Sequence, residues 1–157
     1  MKQLLKLLTQ LEGHIPDYKK INATVSQSTV GWQVEHSLLV VNGVINELKK
    51  SNPEDYRWKF NKIRLLLQII NKIPRGKAKA PKSVKPMDST SMDGLILNIE
   101  LAKKQVIDLE KLPAKSHFTH PLFGDLKLKS ALWFLKLHTK HHLKIIEDIL
   151  KSENPKI

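Results

Sequence analysis

Two histidines one helical turn apart, His138 and His142, stand in a line otherwise made of aliphatic residues. Leu128, Ala131 and Leu135 precede them, and Ile145 and Ile149 follow, in alternating steps of three and four. That spacing puts both imidazoles on one helix face, near enough to share a metal ion. Burying two imidazoles among leucines is unfavourable unless something satisfies them, and a cation bound by neutral imidazole nitrogen does so. His141 is rotated by about 100° from His142 along the helix and reads as a neighbour, not a ligand. His36 holds a similar place in another apolar segment, flanked by Trp32, Leu39, Val40 and Gly43. Gly43, about 1 kcal/mol worse than alanine inside a helix, points to a need for room or close backbone approach. One histidine from one helix and a pair from another would leave coordination positions open, as sites for water or substrate do. Spacing alone is also compatible with core histidines held by hydrogen bonds, the commoner arrangement for a lone buried histidine.

The acids around these histidines are poorly placed for proton transfer. Glu147 faces away from His142, Asp148 lies at the edge of the seam, and Glu35 belongs to the polar edge of its helix. No general base is assignable, which favours chemistry in which a metal activates an incoming thiol or water over a protein acid–base pair. His117 and His120, just before the last helix, are either within reach of the mouth of such a site or packed in the turn that leads into the helix. A basic loop over 74–86, with Arg75, Lys77, Lys79, Lys82 and Lys85, is either an attractor of an anionic cofactor or substrate, or a solvated linker.

These residues need elements to hold them. Apolar periodicity predicts a short helix over about 1–12, stopped by Gly13 and Pro16. A second runs from Ser28 or Thr29 to Lys50, with Val34, Leu38, Val41, Ile45 and Leu48 on one face and a polar edge limited to Glu35, Asn42, Asn46 and Lys49. A third is expected from Pro53-Glu54-Asp55 to Pro74, with Tyr56, Phe60, Ile63, Leu67 and Ile70 inward. Residues 74–88 contain three prolines and form a loop. A fourth helix, capped somewhere in Asp88–Ser91, presents Met92, Leu95, Ile99, Ala102, Val106 and Leu109. The stretch 113–125 reads as irregular, and the last helix spans about 127–151. No strand pattern and no repeat stand out. The expectation is an all-α protein, a single domain over 1–157, built as a four-helix bundle with a short extra N-terminal helix.

The chain has 157 residues, 41% hydrophobic, enough to bury a core. Its lack of cysteine excludes disulfides, thiolate nucleophiles and sulfur-ligated zinc, and fits a reducing cytoplasm. Lys6, Gln10 and Glu12 break the N-terminal apolar run, so no signal peptide is expected, and no window approaches the roughly 18 apolar residues of a membrane span. The formal charge of +12 is carried by lysine, with arginine only at positions 57, 64 and 75. Lysines spread over helix faces read as a solvated surface, and the basic loop over 74–86 has no interleaved aromatic residue, so neither a nucleic acid nor a membrane partner is expected. An apolar outer stripe on the second helix is compatible with a homodimer.

Three groups of residues resemble a known family. His120-Pro121-Leu122-Phe123-Gly124, then Leu126, then His138-Thr139-Lys140-His141-His142 is similar to the C-terminal signature of the DinB-like (DNA-damage-inducible) superfamily. Trp32-Gln33-Val34-Glu35-His36 resembles its second-helix motif, and Arg75-Gly76-Lys77-Ala78-Lys79-Ala80-Pro81 resembles the basic loop of one branch. The resemblance implies a four-helix bundle in which His36, His138 and His142 bind nickel, zinc or a similar ion. It further implies a thiol-dependent transferase or isomerase using a cofactor such as bacillithiol or mycothiol. Two departures leave that chemistry open: Leu143 stands where a glutamine commonly follows the histidine pair, and Lys127 where a threonine often caps the last helix. The readings that follow are a metal-dependent transferase or hydrolase of small molecules, a non-catalytic metal-bearing bundle that binds a ligand or partner, or a basic nucleic-acid or membrane-surface binder in which the histidines are incidental.

Overall fold

In the structure, a computed structural model describing residues 1–76, 84–86 and 90–151, most of the chain is helical. Helix α1 spans Lys2–Gly13 and buries Leu4, Leu7, Leu8 and Leu11, one face at helical spacing. Helix α2 spans Val30–Lys50 and starts where the Thr29 hydroxyl accepts the Trp32 N–H. Helix α3 covers only Lys62–Ile70, capped by Asn61 and ended by Asn71 in the left-handed region at φ 51°. Helix α4, Met92–Asp108, is capped by Ser91, and helix α5 runs from Leu128 to Lys151. No helix among the described residues is long and apolar enough to cross a membrane.

Helix α2 packs on α4 and α5, and α1 packs on the same two, closing a ring of four helices around one core. Leu38, Ile45 and Leu48 meet Leu95, Ile99, Leu135, Ile146 and Ile149 there, all essentially inaccessible to solvent. The expected roles of the first and third helices are therefore reversed. The N-terminal helix is a full member of the ring, because its leucine face is complete and Ile15 extends it.

The third helix is the extra element. It does not begin at Pro53, which instead opens a 3₁₀ turn over Pro53–Asp55 before an extended stretch. Phe60, Ile63 and Ile70, expected inside, are exposed, and only Leu67 of that row packs partly on the core. Arg64 is the buried residue of α3. Its guanidinium donates to the carbonyls of Lys59 at 2.6 Å and of Phe123 and Asp125 at 3.3 Å each, so the buried cation is satisfied by backbone alone. Met92 also departs from expectation, standing partly exposed at the start of α4.

The stretch expected to be irregular holds an antiparallel hairpin, β1 His117–His120 and β2 Gly124–Lys127, with His120 opposite Gly124. The His-Pro-Leu-Phe-Gly run is its turn. The His120 Nδ1 accepts the Leu122 N–H, and Gly124 adopts φ +68°, a conformation that favours glycine. Phe118, Phe123 and Leu126 are buried beneath it. The hairpin sits at the end of the ring, where the His117 N–H donates to the Ser51 hydroxyl after α2 and the Leu128 N–H donates to the Ser116 carbonyl.

Glycine placement in α2 also differs from expectation. Gly43 is exposed and a Cβ there would meet nothing within 4 Å, so it makes no close approach. The crowded position is Gly31, where a Cβ would lie 2.8 Å from the Tyr18 carbonyl oxygen, the group that accepts the Gly31 N–H. Gly43→Ala is expected to stabilise the fold by about 1 kcal/mol through helix propensity. Gly31→Ala is expected to destabilise it by about 1–3 kcal/mol despite the same propensity gain. Urea midpoints of the two variants check the opposite signs.

Candidate metal centre

Helices α2 and α5 bring His36, His138 and His142 together. The ring centroids are 4.7 Å apart for His36 and His142, 5.1 Å for His36 and His138, and 4.5 Å for His138 and His142. One ring nitrogen from each lies within 4.8 Å of the others, and the three sequence-expected ligands are the ones that meet. They sit in the first half of α2 and the middle of α5, where the core seams of both helices face inward.

Hydrogen bonds orient two of the rings. The His36 Nδ1 lies 2.7 Å from the Val84 carbonyl, which accepts only, so Nδ1 carries the proton and Nε2 keeps its lone pair. The His142 Nδ1–H donates to Gln33 Oε1 at 2.7 Å, with the same result. Gln33 is buried and anchored in turn by its amide donating to the Ser26 hydroxyl at 3.2 Å. This is the arrangement that metal-binding imidazoles take, with one nitrogen held by an acceptor and the other presented to the ion.

The remaining geometry fits a cation. His138 Nε2 and His142 Nε2 are 3.3 Å apart. Two nitrogens bound at about 2.0–2.1 Å with a near-tetrahedral angle would be separated by about 3.3–3.4 Å. His138 Nδ1 is buried without a hydrogen-bond partner among the described residues. If Nε2 of His138 is unprotonated, it points a lone pair at that of His142, which a cation would bridge; if protonated, Nδ1 is an orphan acceptor.

Burial holds these imidazoles neutral. His138 and His142 are pushed well below the ordinary histidine range by desolvation, with positive charge on their neighbours adding to it. His36 is lowered by desolvation, partly offset by its bond to Val84. Neutral imidazole is the ligand form.

Aromatic rings wall the cluster. Trp32 stacks on His36 at 5.0 Å and 18°, and Phe134 lies 5.6 Å from His138. His120 stacks on Phe123 at 4.1 Å and meets Phe134 edge-on at 4.7 Å, so it is the packed imidazole of the hairpin turn, with Phe134 between it and His138. Burial lowers its pKa to about 4. His117 packs against Tyr56 at 5.7 Å and has no contact with the cluster among the described residues. His141 meets His142 edge-on and donates a ring N–H to the Ile73 carbonyl, a neighbour as expected.

The nearby acids are engaged elsewhere. Glu35 accepts a short hydrogen bond from the Thr90 hydroxyl, Asp148 pairs with Arg75 at 2.6 Å, and Glu147 is exposed. Within the basic loop, Lys77, Lys79 and Lys82 lie outside the described residues, and Lys85 is exposed. Arg75, Lys72, Lys140 and Lys144 line a cleft of about 800 Å³ that has His141 in its wall.

Sequence reasoning picked out the three histidines that meet but not their hydrogen-bond partners. Gln33 stands three residues before His36, on the same helix face, and that spacing was the available signal. The Val84 carbonyl had none, since any residue supplies a carbonyl. Gln33→Leu is expected to weaken metal binding by about 10–100-fold without unfolding the protein, the usual effect of losing such a partner. Competitive titration against a chromophoric chelator checks it.

No family model, curated protein or solved structure matches this chain.

Proposed function

We propose that this chain is a metal-dependent protein of the DinB-like type, in which His36, His138 and His142 hold one divalent ion, nickel or zinc. Its reaction is the transfer of a low-molecular-weight thiol such as bacillithiol to a small molecule, or hydrolysis of one. The observation that carries this reading is the convergence of three neutral imidazoles, the buried His36 and His142 and the half-buried His138, two of them oriented by Val84 and Gln33. When bound, the ion supplies Lewis acidity that makes a thiol or water nucleophilic at neutral pH. The chain's own residues present three nitrogens from one side, exclude water with Trp32 and Phe134, and hold the rings fixed. The lysines and arginine of the cleft beside His141 give an anionic cofactor a favourable approach.

The test has two stages. Elemental analysis of protein purified without a histidine tag is expected to find about one equivalent of a divalent metal; none at any loading would sink the reading. Loaded protein is then assayed for consumption of bacillithiol in the presence of an electrophile.

A second reading has its own support. With Glu35 held by Thr90 and Asp148 by Arg75, no carboxylate among the described residues is free beside the histidines, which suits a non-catalytic metal-bearing bundle that binds a ligand. Metal bound without thiol consumption or hydrolysis would favour it.

A further inference from the structure

The segment from Tyr56 to Arg75 is inside out. Helix α3 turns Arg64 into the protein, while on the opposite side Leu66 and Ile69 are 54% and 74% exposed. Leu65 and Ile70 flank them, and the extended stretch before the helix adds Trp58 at 66% and Phe60 at 60%. A single exposed leucine means little. Large apolar side chains crowded onto one short element form a patch of the kind that marks an interaction surface.

Charge identifies what covers it. No acidic residue occurs between Tyr56 and Arg75, and Arg57, Lys59, Lys62 and Lys72 stand exposed among the apolar side chains. A second copy of the chain would bring the same cations into the same interface, and each copy carries +12. A nucleic acid would use the cations, Trp58 and Phe60, but has no need of the aliphatic row on α3. An anionic lipid surface uses all of them. The aliphatic side chains enter the acyl boundary, the tryptophan sits at headgroup level, and the lysines stay with the anionic headgroups.

We propose that Tyr56–Arg75 is a docking surface for anionic lipid bilayers, with α3 lying in the headgroup plane. At nine residues α3 is far too short to span, which takes about 20. Phe60, Ile63 and Ile70, expected to face inward, face out and belong to this surface. This surface is independent of the metal reading and survives its failure.

The full chain is sedimented with vesicles of phosphatidylcholine alone or mixed with phosphatidylglycerol. Partitioning to the anionic vesicles is expected to be at least about tenfold stronger and to fall as salt rises from about 0.05 to about 0.3 M. The tryptophan emission should shift to the blue on binding, and the shift should vanish in Trp58→Phe. The double variant Leu66→Ser with Ile69→Ser removes only exposed side chains, so its circular dichroism and melting should match the parent while partitioning drops by about tenfold or more. Lys59→Glu with Lys62→Glu should act likewise.

Three results would overturn the proposal. One is no vesicle binding, or equal binding to both vesicle types. Another is a lipid-free dimer in analytical ultracentrifugation that the same serine substitutions dissolve. The third is single-stranded DNA binding that is lost in Trp58→Ala and indifferent to the serine pair.

Discussion

His142→Ala is expected to lower the affinity for a divalent ion by about 10³-fold. A structural zinc site of four ligands is worth about 10–16 kcal/mol, so one imidazole in a small set accounts for roughly 4 kcal/mol. His142 is the member whose loss should be felt most, because it supplies a nitrogen 3.3 Å from that of His138 and is the ring that Gln33 orients. His138→Ala should fall nearly as far. His141→Ala is the control, since its ring is occupied by the Ile73 carbonyl, and its affinity should stay within about threefold of the parent. Isothermal titration with zinc and with nickel measures all three. A His141→Ala loss as large as that of His142→Ala would mean that the ligand set is wrong. Circular dichroism of the metal-free variants guards against unfolding as the cause.

The second large effect concerns acid. Between pH 7.5 and 5.5 the metal-free protein is expected to lose about 3 kcal/mol of stability from His138 and His142 alone. Their folded-state pKa values are depressed well below the unfolded value near 6.5, chiefly by desolvation. Above pH 6.5 both states are neutral and pH has little effect through these groups. Below it the unfolded chain takes up protons that the folded chain refuses, and each group then contributes about 1.4 kcal/mol toward unfolding at pH 5.5. His120, lowered to about 4, works in the same direction, discounted because it is only half buried. At about 2–4 °C per kcal/mol for a chain of this size, the melting temperature should drop by about 6–12 °C. His138→Ala should flatten that slope. A melting temperature independent of pH over this range would show that the imidazoles are not buried neutral. Saturating metal should protect the fold against the same acid step, because protons must then displace the ion.

Why some elements were legible and others were not follows from particular residues. Helices α2, α4 and α5 combine a long apolar period with a polar cap at Thr29 or Ser91 or a firm stop, and periodicity also found all three clustered histidines. For α3 the same period was present but its direction was not. The face holding Phe60, Ile63 and Ile70 reads as buried until Arg64 is seen to find three carbonyls that draw the other face inward. Helix α1 was undervalued for its length alone, although its leucine face fills a quarter of the ring. The strands of the hairpin have four residues each, too few for a period of two to stand out. Gln33 and His142 are 109 residues apart in the chain, so only the fold could pair them.

The three oxygens around Arg64 belong to the main chain of Lys59, Phe123 and Asp125. Every residue carries such an oxygen, so the anchor of α3 makes no demand on which side chains surround it. Sequence drift at Lys59 and Asp125 leaves the anchor intact, whereas drift at position 64 does not. Lysine, with one ammonium in place of a planar fork, cannot divide itself between the loop before α3 and the hairpin. The attachment is thus specified by one codon and tolerated by its neighbours, which leaves the exposed side of the segment free to change its partner without losing its place on the protein.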